Sequence, residues 1–411
     1  MRRVVITGLG VIAPNGIDKD EFWRSLILGR SGIDRITSFD TSNLPVQIAG
    51  EVGNFDPTLY INPRKARRMS RVAQFAVAAA KMAVEDAELE ISERNWNQIG
   101  VCFGNLCGKP DFETDYQRYL KRGIRGIHPS ASTSFCPHSL TAFISVELGL
   151  RGVAETISTG CSAGLDAIML GTLQIQGGRA KAIIAGGADS FLSPFTFSAV
   201  CASGHLSKRN EEPKKACKPY DLNRDGLVIG EGGAAVLIED LESALDREAK
   251  IYAEVLGFGQ SGEGGDMSKA DISGEAIARA IKAALAMAKL DPSEIDYINA
   301  HGNAMRDYDL AETNAFKLVF GRRAYSIPVS SIKPITGQSF SASGLFQVVA
   351  SCLTLQSGVL PPTINYETPD VDCDMDYVPN KARRARVRNI LINAQNFGTH
   401  SVLILGRYKP C

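Results

Sequence analysis

The 411-residue chain has no surplus charge, since 45 Lys and Arg balance 45 Asp and Glu. Nucleic-acid binding driven by bulk charge is thereby excluded, because a phosphate backbone selects a positive surplus. No run approaches the roughly 18 uninterrupted apolar residues of a membrane span. The opening MRRVVITGLGVIAPNG reads as a strand and a turn, not a signal peptide, so a cytoplasmic protein is expected. The nine cysteines form no CxxC pair and no Cys/His cluster of zinc spacing, which argues against structural zinc and a disulfide framework. Apolar residues are not scarce: at 44% hydrophobic and 22% charged, the chain can fill two domain-sized cores or one large duplicated one.

Glycine is abundant. Its 39 copies gather where apolar runs end, in TGLG, CFGN, STGCSAG, AGGAD, IGEGG, AHGN and NFG, a placement that predicts tight strand-to-helix turns. Short β-branched runs recur at 4–6, 99–103, 182–185, 234–238, 251–258, 295–299, 329–332 and 390–393. Between them, Ala-rich stretches at 72–87, 162–176, 275–289 and 344–356 carry small residues on more than one face, as helices packed between or beneath sheets do. The alternation predicts a layered α/β fold. The halves also rhyme: a turn with Cys161, an Ala/Leu helix and AGGADS in the first, SSIKPITGQSFSASG, another such helix and NAQNFG in the second. One compact, duplicated unit is expected, with halves 1–250 and 251–411.

Three motifs carry candidate chemistry. Gly8 and Gly10 after a strand suggest a dinucleotide site, but Ala13 takes the third glycine's place and Pro14-Asn15-Gly16 turns where the phosphate-binding helix should continue. A structural glycine turn is the better reading. In ETISTGCSAGLDAI, Cys161 sits where a β-rich run meets a helix; a helix N-terminus stabilises a thiolate, and nearby N–H groups can form an oxyanion hole. The alternative is a small cysteine packed in a glycine turn. His301, in IDYINAHGNAMRDYDLAET, lies just past a strand and is one of five histidines, a candidate acid/base group or a histidine satisfied by backbone.

These segments together, with CKPYDLNRDGLVIGEGGAAVLIE, SSIKPITGQ and NFG, resemble the elongating ketosynthases of type II fatty-acid and polyketide systems nearly end to end. STGCSAGLD and PPTINYETPDVDCDMDYVPNKAR resemble the ketosynthase subunit of type II polyketide synthases in particular. The resemblance implies a thiolase fold of duplicated βαβ halves in a five-layered αβαβα core, forming a homodimer or a heterodimer. It implies Cys161 as acyl-accepting nucleophile, His301 as first active-site histidine, Lys333 as the family's lysine, and Phe397 as a gate whose N–H joins that of Cys161 in the oxyanion hole. Asp309 and Glu312 match acidic positions after the histidine. No metal or organic cofactor is implied; substrates ride on the phosphopantetheine of an acyl carrier protein.

Three departures stand out against that pattern. Gln338 replaces the second histidine, which assists malonyl decarboxylation in the family. Gln347 replaces the glutamate that accompanies the lysine, leaving Lys333 without its usual anion. Thr399 and His400 stand where the family shows a second glycine and then threonine. A side-chain amide at 338 can still donate to a thioester carbonyl, as the asparagine of related Cys-His-Asn enzymes does. The alternatives are acyl transfer without decarboxylation and a non-condensing, chain-length-factor-like partner subunit. Arg64, Lys65, Arg67, Arg68 and Arg71 form a basic cluster suited to docking an acidic carrier protein, as do Lys381, Arg383, Arg384, Arg386 and Arg388; either is otherwise a solvated face.

Overall fold

The β-branched runs form strands and the Ala-rich stretches form helices in the computed structural model, which describes residues 2–265 and 269–409; Cys411 lies outside the described residues. Strands β1 (Val4–Ile12), β2 (Ile99–Gly104), β3 (Ala154–Ile157), β4 (Ala182–Asp189), β5 (Gly232–Asp240), β6 (Ala253–Gly262), β7 (Tyr297–Asn299), β8 (Val329–Ser330), β9 (Asn389–Asn396) and β10 (Thr399–Gly406) make one sheet. Its order is β8-β7-β9-β10-β6-β1-β5-β4-β2-β3. On each side of the β6–β1 junction the three outer strands run parallel and the two inner strands pair antiparallel with their neighbours. The two sides therefore repeat one pattern. They join where Val4, Val5 and Ile6 pair with Val255, Glu254 and Ala253.

The helices of the core and the site are α1 (Arg71–Asp86), α2 (Phe112–Arg122), α3 (Ala163–Gln176), α4 (Pro194–Ala202), α5 (Glu275–Ala288), α6 (Arg306–Phe320) and α7 (Ser341–Ser357). α3 and α7 are buried on nearly every face, because they lie between the two sheet halves. α1 covers the outer face of one half and α5 with α6 that of the other. The result is the expected five-layered αβαβα arrangement. Among the described residues, no helix is long and apolar enough to cross a membrane.

The expected glycine turns need correction at TGLG and AGGAD, where β1 runs through Gly8 and Gly10 and β4 through Gly186 and Gly187. A Cβ at Gly8 or Gly10 would overlap the carbonyl oxygen of Ala83 or Ala79 in α1. Gly257 and Gly259 of β6 bear the same relation to Ala284 and Ala280 of α5. Glycine on the strand and alanine on the helix let the two backbones approach, and both outer layers use the device. The run at 329–332 gives only a two-residue strand, since Pro334 helps start a short helix at Lys333.

Candidate functional site

Cys161 lies in a single 3₁₀ turn, Gly160–Ser162, that leads into α3. Gly160 is at φ 71°, and a Cβ there would strike the Asn396 amide, so β9 packs directly behind the Cys161 turn. Asp166 braces the turn: it accepts from Thr159, from Ser162 Oγ at 3.1 Å, from Gln260 Nε2 at 2.8 Å and from Ser401 Oγ at 2.6 Å. From the other half, Gln338 precedes α7 by three residues. Its backbone donates to Val228 O at 2.8 Å and accepts from Gly230 N at 2.9 Å, while its side-chain amide faces the Cys161 thiol and favours its ionised form. Gln338 Oε1 is buried without a partner.

Glu312 organises the histidine loop. It accepts from the His301 N–H at 2.7 Å, the Gly302 N–H at 3.0 Å, Tyr220 OH at 2.6 Å and Asn393 Nδ2 at 2.6 Å. Asp309 accepts from the N–H groups of Tyr220 at 2.8 Å and Asn303 at 3.1 Å and lies 3.5 Å from the Arg224 guanidinium. Both acids hold backbone, and neither lines the cavity that contains Cys161. Lys333 Nζ donates to His301 O at 2.5 Å. Gln347 is no substitute anion; its amide donates to the carbonyls of Asn299, Ala300 and Asn393. The usual anion is absent at position 347, and the charge that most favours charged Lys333 is instead that of Glu312.

Burial governs the ionisation states. It pushes the Cys161 thiol up to about 11, against the Gln338 hydrogen bond and the Lys333 charge, so the helix terminus does not deliver the expected resting thiolate. Burial, then the charges of Lys333 and His400, hold His301 well below the ordinary histidine range. Burial also lowers Lys333 to about 8. The neutral His301 receives the Gln395 N–H at Nδ1, 3.2 Å away, so Nε2 carries the proton and faces outward as a donor. The expected base is thus a hydrogen-bond donor in the resting tautomer. Asn303 Nδ2 stands 3.3 Å from that nitrogen, its own oxygen held by the Met305 N–H.

Cys161, His301, Gln338 and Phe397 line one largely apolar cavity of about 410 Å³, walled by Phe195, Ala199 and Val200 of α4, by Tyr308 and by Phe340. Phe340 keeps a positive φ of 48° for a non-glycine residue, a strain that sets its ring 4.4 Å from Phe191. Asn303, Tyr308, Gln395 and Asn396 were not singled out from sequence. Their signal was proximity alone, in AHGNAMRDY and NAQNF.

The first basic cluster divides. Arg71 is committed to Glu231, with bonds of 2.6 and 2.9 Å, which removes it from a docking role; Lys65 pairs with Glu147 at 2.7 Å. Among the described residues, Arg64, Arg67 and Arg68 are exposed and make no ion pair. Beside them, α2 and the turn after it gather Arg118, Lys121, Arg122, Arg125 and His128 around an open depression. His128 reaches Ser130 Oγ at 2.7 Å, and Ser130 Oγ reaches Arg68 O at 3.5 Å, so the two patches adjoin.

Residues 1–244 match the family described as "Beta-ketoacyl synthase, N-terminal domain", and residues 252–367 match "Beta-ketoacyl synthase, C-terminal domain". The chain is 40% identical over 408 residues to the 3-oxoacyl-[acyl-carrier-protein] synthase 2 of Coxiella burnetii, spanning 99% of each. It superposes on the ishigamide ketosynthase/chain length factor with a TM-score of 0.93 at 35% identity, over 99% of this chain and 100% of that one. A type II polyketide synthase acyl carrier protein in complex with its ketosynthase bound to the hexaketide gives 0.91 at 34% identity, again over 99% and 100%.

Proposed function

Because the chain belongs to the beta-ketoacyl synthase family and is a condensing enzyme of type II polyketide or fatty-acid synthesis, we propose that Cys161 takes an acyl chain from an acyl carrier protein for condensation with a malonyl unit. The observation that carries this assignment is the convergence of Cys161, His301 and Gln338 on one apolar cavity. In the first step Cys161 Sγ attacks the acyl thioester and the carrier thiol leaves with the cysteine's proton. In the second, the malonyl C–C bond breaks, carbon dioxide departs, and the enolate carbon attacks the acyl carbonyl. The Cys161 thiolate leaves and takes up a proton.

Each half contributes separately: residues 1–250 supply the nucleophile and its own N–H, and residues 251–411 supply the remaining donors. His301 Nε2–H and the Gln338 amide donate to the malonyl thioester oxygen as enolate charge develops, with Asn303 alongside. The N–H groups of Cys161 and Phe397 receive the oxyanion of the acyl intermediate. Lys333 holds the histidine loop by its carbonyl and favours the thiolate by its charge. The carrier protein docks on Arg64, Arg67 and Arg68, extended by Arg118, Lys121, Arg122 and Arg125, and delivers the phosphopantetheine thioester. The second copy in the assembly is a ketosynthase-like subunit, like or unlike this chain.

The deciding experiment follows both half-reactions with carrier-bound substrates: intact mass reports acylation of Cys161, and trapped carbon dioxide reports decarboxylation. Acylation followed by carbon dioxide release and a β-ketoacyl product is expected. Acylation without carbon dioxide from any malonyl donor would leave plain acyl transfer; no acylation would leave a partner-subunit role.

A further inference from the structure

The turn that carries Phe397 is held by two side chains to which the proposed chemistry gives no task. β9 and β10 stay paired out to Asn396 and Thr399, so Phe397 and Gly398 alone make the turn, with Gly398 at φ 70°. On one side Asn396 and Phe397 line the cavity that holds Cys161. On the other, the same two residues line a second cavity of about 470 Å³ with Thr159, Asp166, Ser261 and His400. Phe397 is the partition. Its ring centroid lies 5.9 Å from that of Tyr308, edge-on, and 5.6 Å from that of His205.

The restraint lies behind the ring. The Glu263 N–H donates to Gly398 O at 2.9 Å, and Glu263 Oε1 lies 2.9 Å from His400 Nε2, with both side chains no more than 3% exposed. One residue therefore grips the turn's backbone and also a side chain two residues beyond it. A carboxylate this deeply buried depends on its donor, so the two hold each other in place. His400 also sits opposite Gln395, whose N–H fixes the His301 ring.

We propose that His400 and Glu263 are a positioning latch that holds the Phe397–Gly398 turn closed over Cys161, so that Phe397 yields only when the pair parts. The inference rests on Cys161 as the acylated residue. Its test uses the full-length protein, Glu263→Gln and His400→Thr singly and together. Peptide mass spectrometry follows Cys161 alkylation by iodoacetamide and by a bulky maleimide at one pH, and amide exchange is read over residues 396–401. Breaking a charge-assisted hydrogen bond should speed the bulky reagent about tenfold or more, leave iodoacetamide nearly unchanged, and raise exchange across the turn. The double variant should be no faster than the faster single one. Equal acceleration of both reagents, or unchanged exchange, would overturn the latch. If neither reagent reaches Cys161 in the parent, the nucleophile assignment falls instead, and exchange alone still judges the latch.

Discussion

At pH 8 a thiol pushed up to about 11 is thiolate in roughly one molecule per thousand, so Cys161 rests protonated. Its alkylation should therefore rise about tenfold per pH unit from 8 to 10, past the point where an ordinary thiol levels off near 8.5. Lys333 lowers the thiol by its charge but is itself near 8, so its help fades above that pH. Lys333→Ala should slow Cys161 alkylation at pH 7.5 and matter less at pH 9.5; a pH series of labelling rates checks both. Gln338→Ala should lower decarboxylation by roughly 10²-fold, the scale of one lost oxyanion donor, while acyl loading stays near normal. Gln338→His should give decarboxylation with a pH dependence near neutrality that the parent lacks, because imidazole titrates there and an amide does not. Rates of carbon dioxide release and of acyl loading, measured side by side, decide it.

Among the elements, the closest packing lies where β1 meets α1 and β6 meets α5. Gly10→Val or Gly259→Val forces a side chain into a helix carbonyl and should cost at least about 1–3 kcal/mol, read from denaturant midpoints. Gly53→Ala, where a Cβ meets nothing within 4 Å, should cost little. The same contrast explains what the sequence could tell. The Ala-rich stretches 72–87 and 275–289 marked α1 and α5 within a residue or two, because a run of small residues lets one helix face pack closely on a strand, even where, as at Arg279 and Lys282, the other face stays exposed. Gly8 and Gly10 looked like a turn, because a glycine demanded by an approaching helix resembles one demanded by backbone conformation. Cys161, His301 and Gln338 were legible from motif. The deprotonation state of Cys161 and the tautomer of His301 were not, since they depend on burial and on the Gln395 N–H, 94 residues from the histidine.

For the whole molecule, a net charge of zero leaves carrier recognition to local patches. Charge reversal at Arg67 and Arg68 should slow reaction with a carrier-bound substrate more than with a small thioester mimic, and the deficit should shrink at high salt. Arg71→Glu should behave differently: it strands Glu231, a side chain 2% exposed, so both substrates should suffer together and the thermal midpoint should fall. Comparing the two variants with both substrates separates a docking charge from a structural one.

The repeated strand pattern has a consequence for how the site can change. Cys161 and Gln338 lie two and three residues ahead of α3 and α7, the central helices of the two sides of the sheet, so they occupy near-equivalent places in the repeated pattern. The two residues belong to different helix starts, each with its own packing. Residue 338 can therefore be substituted while the turn that carries Cys161 keeps the contacts that shape it, and the chemistry of the cavity can be retuned without a change of fold.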